Sequence, residues 1–218
     1  HFSHSYVRGN WRNLKDSAPM ILAKCCHDLD LLCWLNNLTE PVHVASFGGR
    51  DFLTKEKAPE GAGEKCLVDC PHVDTCQYSA KSIYVKTDRY PYYSWDCIDK
   101  DYNTISKEEK IESLKTFNQH GQCAYKVKSD LVDHQVLIMQ FANGSTANHT
   151  MLQGAVRPCR LIRIVGTKGE IEGTIEESRF VVRTYDFDNA GYLTKEYNVK
   201  DLIDVTDHHA GGDAGTHC

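Results

Sequence analysis

Lys24, His27 and Asp28 are the residues whose types and spacing most readily do chemistry in this chain. Three or four positions apart, they can be brought together on one side of a helix. Burying an ammonium or a carboxylate without a partner costs on the order of several kcal/mol, so these groups must face a cleft or one another. One reading is a surface Lys–Asp pair beside a hydrogen-bonded core histidine. The other is a cleft-lining Lys–His pair that moves a proton or holds a polar substrate. That work suits the side chain that titrates nearest neutrality.

A second group is built from soft ligands. Cys66, Cys70 and Cys76 lie close together in an irregular stretch, with His72 among them and Cys97 or Cys123 farther on. Cys66, Cys70, Cys76 and Cys123 would supply a tetrahedral set for a structural zinc. A lobe with few apolar residues would gain folding free energy from such an ion. The two-residue spacing usual between zinc ligands is absent, and free thiols, a disulfide or an iron–sulfur centre compete with the metal reading. Cys25, Cys26, Cys33 and Cys159 fall inside apolar elements and read as small core residues. Farther along, His208-His209-Ala-Gly-Gly-Asp213 could bind a metal, a phosphate or nothing.

The element that must position the first group is a helix over 17–35. Ser17 or Asp16 can cap it, Pro19 fits just inside its start, and apolar residues repeat at three and four through Leu35. Apolar on so much of its circumference, it is expected to be mostly buried. Residues 1–8 alternate as a short strand. Arg8 and Arg12, just before the helix, serve either as structural donors or as part of the same pocket.

Val42 to Gly48 alternates as a strand with a well-filled face. From about 51 to 101 the periodicity fails among prolines and glycines, and a segment of that length is expected to fold as a lobe, flap or subunit contact. Ser106 and Glu109 have capping-box spacing for a helix that Gly121 ends. Val132–Phe141 and Ser145–Leu152, joined by Asn143-Gly144, give a hairpin. Strands over 160–165, 170–175, 180–185 and 193–197 follow at short intervals, which favours antiparallel pairing. The expected fold is α+β. It is one domain over 1–218 with a large, mainly antiparallel open sheet, helices packed on one face and the other face on water or a partner.

At 218 residues the chain can bury a proper core, and 41% hydrophobic content is ordinary for a soluble protein. With 25 Lys plus Arg against 30 Asp plus Glu, the net charge of -5 gives no general affinity for nucleic acid or anionic membrane. The most apolar stretch, 18–35, contains a lysine, a histidine and two aspartates, so it does not read as a membrane span or signal peptide, and a cytoplasmic location is the default. No G-x-G-x-x-G turn follows a predicted strand. A start at His1, running straight into an alternating stretch, reads as a domain cut from something longer.

Several motifs occur in order: His4-Ser-Tyr-Val-Arg-Gly-Asn-Trp-Arg12, Lys24-Cys-Cys-His-Asp-Leu-Asp-Leu-Leu-Cys-Trp-Leu35, Ser46-Phe-Gly48, the Cys66 to Ala80 segment, Asp133-His-Gln-Val136 and His208-His-Ala-Gly-Gly-Asp213. Taken together they resemble the carboxy-terminal, substrate-side domain of the glucose–fructose oxidoreductase, inositol dehydrogenase and rhizopine catabolism family (Gfo/Idh/MocA). The resemblance implies an amino-terminal Rossmann domain, absent here, that binds NAD or NADP. It also implies subunit contacts through the open sheet and hydride transfer to or from a hydroxyl-bearing carbon of a sugar, cyclitol or related polyol.

On that resemblance His27 assists removal of the hydroxyl proton and Lys24 polarises or holds the hydroxyl, while Arg8, Arg12, Asp28, His209 and Asp213 help to bind substrate. Many members carry an aspartate where this chain has Ala23. Without the cofactor domain the chain is expected to bind no nicotinamide and to be inactive. Two rival readings are a non-catalytic dimerisation or binding domain with a structural metal lobe, and a metal-dependent hydrolase or isomerase using His27, His209 and Asp213.

Overall fold

The computed structural model describes residues 3–202, which fall into two compact units divided after Gly154. His209 and Asp213 lie outside the described residues.

The first unit opens with a wide π-helical turn, Ser3–Arg8, where the alternation predicted a strand. Tyr6, Val7 and Arg8 are buried in succession. A strand with one face on water cannot bury consecutive side chains, whereas a helical turn sends them into different parts of the interior.

The long helix expected over 17–35 is broken into α1 (Met20–Ala23) and α2 (Cys26–Leu35). Lys24 leaves the helical region at φ −133°, ψ −41°, and Cys25 then caps the start of α2. The pair is also less buried than its composition suggested. Leu29, Leu32 and Cys33 are partly buried against a sheet, while Leu22 and Trp34 remain 60% and 62% exposed.

That sheet consists of β1 (Pro41–Gly49), β2 (His134–Phe141) and β3 (Thr146–Leu152), antiparallel in the order β1-β2-β3. Gly144 takes φ +86° in the β2–β3 turn, a conformation glycine adopts without a Cβ penalty. Leu137, Met139 and Phe141 point to one face, where Ile21, Leu29, Leu32 and Cys33 cover them. Phe47, Val136 and Ile138 lie on the opposite, exposed face. β1, expected to have a filled face, is exposed along almost its whole length because it is the edge strand.

The segment over 51–101 folds with the residues after it as a lobe. Its core is Cys66, Ala80, Tyr84, Trp95, Ile105 and Leu114. Besides a short α3 (Pro91–Ser94), it includes α4 (Lys107–Lys115), which begins in the expected capping box: Ser106 Oγ accepts from the Glu109 amide and Glu109 accepts from the Ser106 amide. α4 stops well before Gly121, which is needed for close packing. A Cβ there would lie 1.9 Å from the Leu114 carbonyl oxygen.

Asp133 ties the lobe to the sheet. Its Oδ2 accepts from the Asp51 and Phe52 amides at 2.9 and 2.5 Å, and its Oδ1 meets His134 Nδ1 at 2.8 Å. Burial raises this carboxyl, but the amides and His134 outweigh it and hold it below the ordinary carboxylate range.

In the second unit β4 (Leu161–Gly166), β5 (Gly169–Thr174), β6 (Arg179–Asp186) and β7 (Gly191–Asn198) form an antiparallel meander. One face carries Glu170 between Arg163 and Arg183, at 2.8 and 2.9 Å. On the other, Phe180 stacks on its cross-strand partner Tyr197 with centroids 5.0 Å apart. The strands thus pair as a three-stranded and a four-stranded sheet rather than one large sheet. The stretch between β3 and β4 carries Gly154 and Pro158, and a proline has no N–H to offer a ladder. The architecture is a mixed α+β fold with antiparallel sheets and, in the first unit, helices packed on one face. No helix among the described residues is long and apolar enough to cross a membrane.

Candidate metal centre

The break between α1 and α2 places Cys25 at the foot of α2, with its side chain turned inward among Tyr6, Met20, Leu131 and Met151. Asp28 lies in the first turn of the same helix. Both positions favour negative charge, because the unpaired amides of a helix start carry its positive dipole end. His149 reaches them from β3. It is paired in register with Leu137, and alternation puts it on the helix-covered face between Ala147 and Met151.

Cys25 Sγ, a carboxylate oxygen of Asp28 and a ring nitrogen of His149 all lie within 4.8 Å of one another, the one such group of three or more among the described residues. A thiolate, an imidazole and a carboxylate are the donors zinc-class divalent ions take. Cys25 is 3% exposed, and the His149 and Asp28 side chains are 14% and 23% exposed. Three protein ligands leave a further position for water or a polar ligand.

His149 Nε2 stands 3.7 Å from Asp28 Oδ2, a loose ion pair, and its Nδ1 is buried with no hydrogen-bond partner among the described residues. Asp28, then Cys25, push the imidazole up to about 9 against the opposing effect of burial. An ion fits this group by giving an orphaned nitrogen a partner and the anions a stronger counter-charge.

A pH dependence follows. Because the folded His149 value lies above the ordinary 6.5, the charged ring stabilises the metal-free fold fully below about pH 6.5 and loses that contribution as pH rises through about 9. The loss is on the order of 3 kcal/mol at most. Denaturant titrations across this window are expected to show a downward slope that His149→Asn flattens. Metal affinity runs the other way, rising with pH as the ring gives up its proton.

The residues singled out from the sequence are distributed differently. Asp28 joins the cluster, whereas Lys24 and His27, adjacent to it in sequence, are exposed. Arg8, read as either a structural donor or a substrate-binding residue, is fully buried; Nε donates to the Gln122 carbonyl at 2.7 Å and Nη2 to the Tyr78 carbonyl at 2.6 Å. Arg12 is partly buried and donates to the Arg8 carbonyl at 3.1 Å and to Gln119 Oε1. Cys66, Cys70, Cys76 and Cys123 line one small cavity in the lobe. All nine described cysteines are free thiols, which sets aside a disulfide among them.

His149, and the place of Cys25 beside it, are not singled out by the sequence. A histidine flanked by Ala147 and Met151 on the inward face of an alternating strand was the available signal. No family model matches the chain, and no curated protein matches it.

Proposed function

We propose that this chain is a metal-carrying binding domain in which Cys25, Asp28 and His149 hold a zinc-class divalent ion that staples α2 to β3. The observation that carries this reading is the convergence of three chemically suitable ligand atoms within 4.8 Å, drawn from a helix start and a distant strand. The ion fixes the first turn of α2, and so fixes the exposed side chains of Lys24 and His27 as a polar binding surface. Competition of the purified chain with a chromophoric chelator tests it. Asp28→Asn is expected to lower the zinc bound by about one ion per chain or weaken its binding at least roughly tenfold. Equal stoichiometry and affinity in the two proteins would overturn the reading.

A second reading is favoured by the exposure of Lys24 and His27 at the start of α2. In this reading the chain is the substrate-side part of a nicotinamide-dependent oxidoreductase acting on a polyol or sugar. His27 accepts the hydroxyl proton and Lys24 holds the oxygen, while a separate Rossmann domain holds NAD or NADP. The exposed sheet face with Phe47, Val136 and Ile138 then serves a second copy of the chain. The two readings separate in an assay with a nicotinamide-binding domain supplied. His27→Ala abolishes turnover without releasing metal under the oxidoreductase reading, and no turnover by the unsubstituted pair removes that reading.

A further inference from the structure

Arg8 presents a buried charge that the first site does not explain. It is fully buried, and no carboxylate lies within ion-pair distance of it among the described residues. Its hydrogen bonds go to two carbonyls and, at 3.5 Å, to Cys66 Sγ. A guanidinium cannot shed its proton, so a buried one needs an anion nearby. Among the described residues the Tyr84 ring lies 5.9 Å from the guanidinium as a cation–π partner, and the groups gathered in number that can become anionic are thiols. Arg8 lines the same cavity as Cys66, Cys70, Cys76 and Cys123.

The backbone prepares these sulfurs for negative charge. An isolated antiparallel bridge, Lys65 with Gln122, sets Cys66 opposite Gly121 and Cys123 opposite Glu64, diagonally across it on one face, closed by Cys66 N to the Gly121 carbonyl at 2.9 Å and Cys123 N to the Glu64 carbonyl at 2.8 Å. The Tyr78 amide donates to Cys76 Sγ at 3.4 Å. An amide donating to sulfur and a buried cation bonded to another sulfur of the set suit a metal-bound thiolate cluster.

We propose that Cys66, Cys70, Cys76 and Cys123 form a second, tetrathiolate site for a soft divalent ion of the zinc class, and that Arg8 is its positioning residue and counter-charge. Four thiolates around such an ion leave a dianionic centre, which the guanidinium half neutralises. Each thiol releases its proton to solvent as its sulfur binds, and no electron moves. No three of the four sulfurs lie within 4.8 Å of one another before loading, so occupancy turns them toward the cavity centre. The site pins the lobe to the segment that carries Arg8.

Cobalt(II) loading of the full chain tests this independently of the first site. In the double variant Cys25→Ser, His149→Ala the chain is expected to keep about one cobalt with the strong sulfur-to-metal charge-transfer absorption of a tetrahedral thiolate centre. Cys66→Ser and Cys123→Ser are expected to lose that absorption. Should those variants fail to fold, alkylation of the unsubstituted chain followed by peptide mass mapping answers the same question. Zinc is expected to slow modification of all four cysteines at least roughly tenfold, and a chelator to restore it. Absence of cobalt from the double variant, or equal alkylation rates with and without zinc, overturns the proposal.

Discussion

Replacing His149 with alanine is expected to weaken zinc binding at the Cys25–Asp28–His149 site by roughly 100-fold or more, close to 3 kcal/mol of binding free energy. The ring supplies one of three protein ligands, and the two left, on α2 and at its foot, no longer tie the helix to β3. Calorimetric titration of the variant against the unsubstituted chain reads the difference, and the zinc-induced rise in Tm is expected to shrink with it. His27→Ala is the control, since its side chain is exposed and contributes no ligand atom. Equal losses in the two variants would mean that helix integrity, and not ligation, sets the affinity.

The second large effect lies in the lobe. Arg8→Met keeps side-chain length and apolar volume but removes the donors that satisfy the Gln122 and Tyr78 carbonyls, each worth about 1.5–3 kcal/mol as a bond to a charged group. Part of that is returned because a buried charge is no longer desolvated. With metal in the cysteine cavity the refund disappears, because the dianionic centre then loses its counter-charge. The variant is therefore expected to be destabilised by about 3 kcal/mol or more in the zinc-loaded chain and by clearly less after chelation. Urea unfolding in the two states measures it, and an equal loss in both would show that Arg8 serves the carbonyls alone.

What could be read from the sequence was local. Ser106 and Glu109 announce a helix start because the capping box closes within one turn, and Asn143-Gly144 announces a hairpin because glycine supplies the positive φ its turn uses. The break at Lys24 and Cys25 carries no proline or glycine to mark it, so the apolar repeat ran on through it. That break is what turns the Cys25 thiol inward beside Asp28 and His149. In sequence a buried cysteine ligand and a small core cysteine look alike.

His149 needed a step across the fold. Its inward orientation follows from strand alternation, but its pairing with Asp28 exists only because α2 lies over β3. For a similar reason the sequence leaves Arg8 open between structural donor and pocket residue. Its partners are carbonyls at Tyr78 and Gln122, and a carbonyl leaves no trace in residue type. The cysteine set was legible because soft ligands are rare enough to stand out even at unusual spacing, and the fold gathers all four on one cavity.

The most direct measurement is an anomalous difference map at the zinc absorption edge from crystals of the zinc-loaded chain. The account predicts a peak about 2.0–2.3 Å from Cys25 Sγ, an Asp28 carboxylate oxygen and a His149 ring nitrogen. No peak at that position, with His149 still beside Asp28 and Cys25 and nothing bridging them, would contradict it.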